Sequence, residues 1–131
     1  MAGKSDYLEL ELLKWAIGDT NDLGTANTPY IGLYTSVPTD AGGGTEVTGG
    51  SYARVNGTAG FGAAPAAGAV ANSVAITFPQ ATAAWGTITA FGIFDAATAG
   101  NLLYWGTIGS VVVGDNQTAQ FGIGALSLTE D

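Results

Sequence analysis

The chain contains no cysteine and no histidine, and only 3 of its 131 residues are Lys or Arg. Without cysteine there is neither a disulfide framework nor a thiolate metal site. Without histidine the chain is missing the commonest general base, the commonest zinc ligand and the side chain that switches charge near neutral pH. Three cations against 11 acidic residues, a net charge of −8, cannot neutralise a phosphate backbone, which is bound by clustered Lys and Arg that displace counterions. No nucleic-acid partner is expected, and no anionic membrane partner on the same grounds. No segment approaches the roughly 18 uninterrupted apolar residues of a membrane span, and MAGKSDYLELELLKWAIG is too acidic for a secretory signal. Charge of either sign is scarce, 11% of residues where about a quarter is usual.

What is present is apolar and small: 47% hydrophobic residues, 21 glycines, and much Ala and Thr. A chain of this length forms one domain, 1–131, and buries roughly two thirds of its unfolded surface, enough for a core without staples. So little charge has two readings. Either Thr, Ser, Asn and Gln cover an all-β surface, or partners in an assembly cover much of it.

Residues 5–17, SDYLELELLKWAI, predict the one helix. Ser5 or Asp6 can cap its first turn and Gly18 supplies the stop. Leu8, Leu12, Trp15 and Ala16 share a face at helical spacing, which predicts core packing for Trp15. Leu10, Leu13 and Ile17 form a second apolar side, so the helix is expected to be covered from more than one direction. After Gly18 the period changes from 3.6 to 2. Strands are predicted over 29–38, 51–55, 70–78, 87–95, 101–108 and 110–113, with a further one within 118–129. In 70–78, Val74, Ile76 and Phe78 are expected to point inward. AATAG (96–100) reads as a hairpin turn. TDAGGGTEVTGG (39–50), with Gly42, Gly43 and Gly44 in a row, reads as a flexible loop, and 56–69 as loop or irregular edge. Short strands with turn signals at regular intervals predict an antiparallel β-sandwich of six to seven or more strands over 29–129, with one N-terminal α-helix.

The densest stretch, FPQATAAWGTITAFGIFDAATAGNLLYWG (78–106), is rich in aromatics, with Phe78, Trp85, Phe91, Phe94, Tyr104 and Trp105, and has a single carboxylate, Asp95. That composition suits packing rather than chemistry, so Asp95 is assigned a structural role. Ile76, Phe78, Ile88, Phe94, Leu102 and Tyr104 are expected in the core, with Trp85 as an anchor for the register. Asp19-Thr20-Asn21-Asp22-Leu23-Gly24 opens like a calcium loop, but Leu23 and Tyr30 stand where ligands are required. Asp40 and Glu46 flank the Gly-rich loop. One of them is expected to bind Arg54 through a carboxylate–guanidinium pair that ties the loop to the following strand. No glycine cluster has the spacing of a nucleotide-binding loop, and no serine has a credible base. The sequence therefore predicts no catalytic residue, no metal and no cofactor. Tyr30, Tyr34, Trp85, Phe91, Tyr104 and Trp105 could instead form a carbohydrate platform, although strand aromatics more often pack in the core.

Several segments together carry a resemblance. They are KSDYLE near the N-terminus, YIGLYTSVPTDAGGGTEVTGGSYAR (30–54), ITFPQATAAWGTITAFGIFDAATAGNLLYWG (76–106) and GD…GALSLT (114–129). In this order they resemble a family of small tailed-bacteriophage virion proteins often labelled tail-fibre proteins. The resemblance implies a virion structural role, with synthesis in a host bacterial cytoplasm. It also implies partners among virion proteins, the major capsid protein first, together with self-association. Capsid decoration is the first expectation, a tail-fibre or tail-associated protein the alternative, and a receptor- or carbohydrate-binding module the rival from another class. The chain has none of the long repeats from which a fibre shaft is built. Contact with the particle is expected through Leu10, Leu13 and Ile17 of the helix and through Gly42, Gly43, Gly44 and Glu46 of the loop.

Overall fold

A computed structural model describes residues 2–20, 23–24, 27–61 and 69–129. The helix α1, Asp6–Ile17, starts where Ser5 leaves the helical region at φ −79° and ψ 158°. The Ser5 hydroxyl accepts the Leu8 N–H at 3.3 Å and donates to the Leu102 carbonyl. Asp6 and Glu9 in the first turn and Lys14 in the last complement the helix dipole. Gly18, left-handed at φ +78°, ends the helix: its N–H bonds to Trp15 O at 3.3 Å while Asp19 N–H reaches Lys14 O at 2.9 Å. Ser5 is buried, so removing its hydroxyl uncaps α1 and strips the Leu102 carbonyl of a donor. Ser5→Ala is expected to cost about 1–2 kcal/mol in denaturant melts.

A short strand not foreseen from the sequence, β1 (Ala2–Lys4), precedes the helix. The remaining strands are β2 (Tyr30–Ser36), β3 (Thr45–Glu46), β4 (Val55–Asn56), β5 (Ala69–Ala71), β6 (Ile76–Thr77), β7 (Gly86–Phe94), β8 (Leu102–Val113), β9 (Gln120–Phe121) and β10 (Ser127–Thr129). Six form one antiparallel sheet in the order β1-β8-β7-β2-β3, and β4 shares the outer edge of β2 with β3. Two ribbons, β5–β10 and β6–β9, form the second layer. Their Ile76 and Phe121, with the flanking Phe78 and Leu126, meet Ile31, Leu33, Ile88, Phe91, Ile93 and Val113 of the sheet in one core. Phe121 stands edge-on to Phe91 at 6.1 Å between ring centres. The fold is thus mainly β and antiparallel, with the one helix near the N-terminus.

The two strands expected over 101–108 and 110–113 are a single strand, β8. Ile88 pairs with Val111 and Ala90 with Thr107, so two steps along β7 face four along β8 and the strand bends through Gly109 instead of ending. At the other end the β7–β8 loop needs Gly100, at φ +73°, because a Cβ there would stand 2.5 Å from Asp95 Oδ1. Asp95 accepts Asn101 N–H at 2.7 Å and Asn101 Nδ2 at 3.0 Å, closing the loop.

Three expectations about strands and core need correction. The run 70–78 is broken because Asn72 is buried and uses its amide on the Val74 and Gly122 carbonyls and the Leu126 N–H. The chain turns out there, and Val74 is 52% exposed. In 51–55 only Val55 enters a strand; Ser51 takes φ +64° and Tyr52 N–H closes a turn on Gly49 O at 3.0 Å. Leu102 and Tyr104 are half-buried rather than core, since β8 lies next to the short edge strand β1. Ile76, Phe78, Ile88 and Phe94 are buried as expected. Of the region 56–69, residues 62–68 lie outside the described part of the chain.

Candidate association surface

The helix α1 packs against β8 and buries only Leu8 and Glu11 among its own residues. Trp15, expected in the core, is 65% exposed, and Ala16 is exposed as well. Leu8, Glu11 and Trp15 lie on one side of the helix at steps of three and four residues. The body therefore ends between Glu11 and Trp15, and the last turns overhang it. On the far side, Leu10 is 50%, Leu13 59% and Ile17 71% exposed. Exposed large apolar residues this concentrated on one element make the end of α1 a candidate interaction surface. The exposure of Trp15 has a trace in the sequence: the stripe that should carry it into the core has a carboxylate, Glu11, at its centre. That carboxylate is buried by pairing with Lys14 at 2.8 Å.

The loop 39–50 carries β3, which pairs with β2, and at Asp40 it reaches Trp105 of β8. Gly42, Gly43 and Gly44 all have positive φ, and Thr39 and Gly42 exchange backbone hydrogen bonds of 2.8 and 2.9 Å around the turn. A Cβ at Gly44 would stand 2.7 Å from the Ser36 carbonyl, so the chain passes β2 at glycine distance. Gly42 and Gly43 have open space around their Cα atoms.

Glu46 and Arg54 come together. Arg54 Nε donates to Glu46 Oε2 and Arg54 Nη2 to Oε1, each at 2.8 Å, the two-bond fork that suits a guanidinium. The other arm, Nη1, donates to the carbonyls of Ala96 and Ala99 at 2.9 and 2.8 Å, and the guanidinium lies 3.5 Å above the Phe94 ring. Asp40 does not join this cluster; it accepts Trp105 Nε1 at 2.8 Å, and its carbonyl takes the Asp6 N–H at 2.8 Å beside the start of α1. Tyr52, which sequence reading missed, completes the cluster: its hydroxyl donates to Glu46 Oε2 at 2.7 Å and accepts Leu33 N–H at 2.9 Å. Leu33 is the β2 residue opposite the gap between β3 and β4, so the phenol replaces a strand partner. Gly32 leaves the room, since a Cβ there would sit 2.9 Å from Glu46 Oε2.

Burial pushes the Tyr52 phenol well up, and the hydrogen bond it gives to Glu46 adds to the rise. Burial and then the Glu46 charge push Tyr34 up to about 12. Burial alone would lower the Arg54 pKa, but the bonds and charge of Glu46 outweigh it and the net shift is upward. The folded state therefore holds both phenolic protons where the unfolded chain has lost them. This contribution to stability is complete below pH 10, the ordinary tyrosine value, and is lost as pH rises towards about 12. In a titration at the phenolate absorbance, Tyr34 and Tyr52 are expected to ionise last, together with unfolding. Smooth ionisation of all 5 tyrosines near pH 10 in a still-folded protein would contradict this.

The other candidates are dispersed. Tyr34, Trp85 and Phe91 are buried, while Tyr30, Tyr104 and Trp105 are half-buried, so these six form no exposed platform. Of the calcium-like segment, Asp19 Oδ1 accepts the Thr20 N–H at 2.8 Å, and Asn21 and Asp22 lie outside the described residues. Among the described residues no group of three or more Asp or Glu could hold a metal ion, and no helix is long and apolar enough to cross a membrane. An apolar groove of about 650 Å³ runs beside the end of β8, with Phe78, Ile88, Ile108, Val111 and Phe121 in its lining.

A family model described as podophage GP4 fiber I protein gp80 matches residues 3–129. No curated protein matches the chain.

Proposed function

The chain belongs to the podophage GP4 fiber I protein gp80 family, and so to a family of phage fibre-type virion structural proteins; we propose that it is a globular subunit of the tail-fibre apparatus, held there by the exposed end of α1. Virion proteins of this kind associate with other virion proteins. The observation that carries the reading is the overhang of α1, which leaves Leu10, Leu13, Trp15 and Ile17 in water. A compact two-layer domain without sequence repeats suits an adaptor or knob rather than a shaft. The family description favours the tail over the capsid decoration first expected, in which the major capsid protein would be the partner. No catalytic step belongs to this reading, which rests on the absence of His and Cys from the sequence.

Quantitative mass spectrometry of purified virions tests the position. A copy number that follows the tail symmetry is expected, whereas one that follows the capsid lattice would restore the decoration reading. A second test addresses the attachment. Since Leu13 and Ile17 are exposed, Leu13→Ser with Ile17→Ser should change unfolding free energy by about 0.5 kcal/mol per site or less. Each full burial on a partner would contribute roughly 1.5–3 kcal/mol, so the double variant should bind particles at least about tenfold more weakly. Wild-type occupancy by the double variant would move the contact to another surface.

A further inference from the structure

Resting on that reading, we propose that the last turns of α1 act as a peg that enters an apolar groove with a basic rim on a different virion protein, and that they do not meet a second copy of this chain. Two observations carry it. The first is that the overhang is apolar on both sides. Trp15 lies on the side that faces the body further back, whereas Leu10 lies roughly 140° and Leu13 and Ile17 roughly 160° from it around the helix, at about 100° per residue. A flat partner would cover one side only, so a groove is required to cover both.

The second observation is charge. Asp6 and Glu9, both exposed, stand one turn before Leu10 and Leu13, and exposed Asp19 follows the C-cap. Lys14, the cation on this helix, is paired with buried Glu11. The chain has only 3 Lys and Arg against 11 acidic residues. Arg54 is committed to Glu46, and Lys4 is not free either. A second copy could therefore bring no free Lys or Arg to the acidic rim, and pairing two such faces would set Asp6, Glu9 and Asp19 against their equals. Like-charge juxtaposition disfavours that pairing, and the complementary surface is one bearing Lys and Arg around an apolar groove.

The test uses purified full-length chain and particles assembled without it. Wild-type occupancy should fall as NaCl rises from about 50 to 500 mM, because rim charges are screened over that range. Glu9→Lys with Asp19→Lys should weaken binding about tenfold at low salt and flatten or reverse the salt dependence. Trp15→Ala should weaken binding as Leu13→Ser does. Undiminished binding of the charge-reversed variant would overturn the basic rim, and undiminished binding of Trp15→Ala would overturn the enclosing groove. In sedimentation at the same concentrations, wild type and Leu13→Ser/Ile17→Ser should show the same mass; a larger mass for wild type alone would assign the face to a second copy and overturn the proposal. If wild-type chain is absent from virions and does not bind the particles, the virion reading fails and this inference with it. Binding by wild type together with any of the other contrary results removes the inference alone.

Discussion

Trp85→Ala is expected to destabilise the protein by about 3–5 kcal/mol, the range for deleting a large buried aromatic. Trp85 is 5% exposed and stands edge-on to Tyr52, with 5.3 Å between ring centres. Its indole N–H donates to the Gly50 carbonyl at 2.9 Å, and its backbone N–H to Val113 O at 2.9 Å. The side chain thus joins the start of β7 to the turn before Tyr52. Gly50 meets it at glycine distance, since a Cβ there would lie 2.9 Å from the indole nitrogen. Truncation leaves a cavity, takes one of two donors from the Gly50 carbonyl, which keeps the Thr82 N–H at 3.0 Å, and frees the segment that delivers Tyr52 and Arg54 to Glu46. Trp85→Phe fills much of the space but drops the hydrogen bond, and should cost less than the alanine variant. Urea unfolding of both variants decides the matter; a loss under about 1 kcal/mol for Trp85→Ala would mean that the indole anchors nothing.

Glu46→Ala should be the next most costly single change, at about 3 kcal/mol, because it leaves a buried guanidinium without its carboxylate. The Arg54 side chain is 8% exposed and Glu46 24%, which places the cost at the lower end for a buried pair. One more group loses a partner with it: the Tyr52 hydroxyl, which donates to Oε2 while accepting the Leu33 N–H. The control is the apolar pair Glu46→Leu with Arg54→Met. Desolvating both charges costs almost as much as their attraction returns, so the double variant should recover much of the single-variant loss. Additive losses in that cycle, or a Glu46→Ala cost under about 1 kcal/mol, would show that the two side chains act independently.

The helix was legible to within a residue because its signals are local. A capping serine, acidic residues in the first turn and a terminal glycine act over a few positions of the chain. The hairpin of β7 and β8 was legible for a similar reason, since Gly100 and Asp95 serve a turn closed within a few residues. The pairing of a carboxylate near the Gly-rich loop with Arg54 was legible from scarcity: one Arg and few carboxylates lie nearby in sequence. That Glu46 rather than Asp40 is chosen was not, because the choice depends on register. Glu46 pairs with Tyr34 across β2 and β3, beside the room that Gly32 leaves, whereas Asp40 is carried to Trp105.

Composition alone determined the absence of His and Cys, the acid excess and the shortage of charge. Local pattern alone determined the helix, the dominance of strands and the aromatic core. Only tertiary structure decided which apolar residues are covered, because periodicity reports that a side is apolar and not how far the body extends beneath it. Trp15 and Leu8 occupy the same stripe; Leu8 lies over the body and Trp15 lies beyond its end. Val74 shows the same limit, where one buried asparagine diverts the chain and exposes Val74, while Ile76 and Phe78 beyond it are buried as expected. The exposed end of α1 is legible only once the place where the sheet stops is known, because exposure is set by contacts between residues distant in sequence, and no local period encodes them.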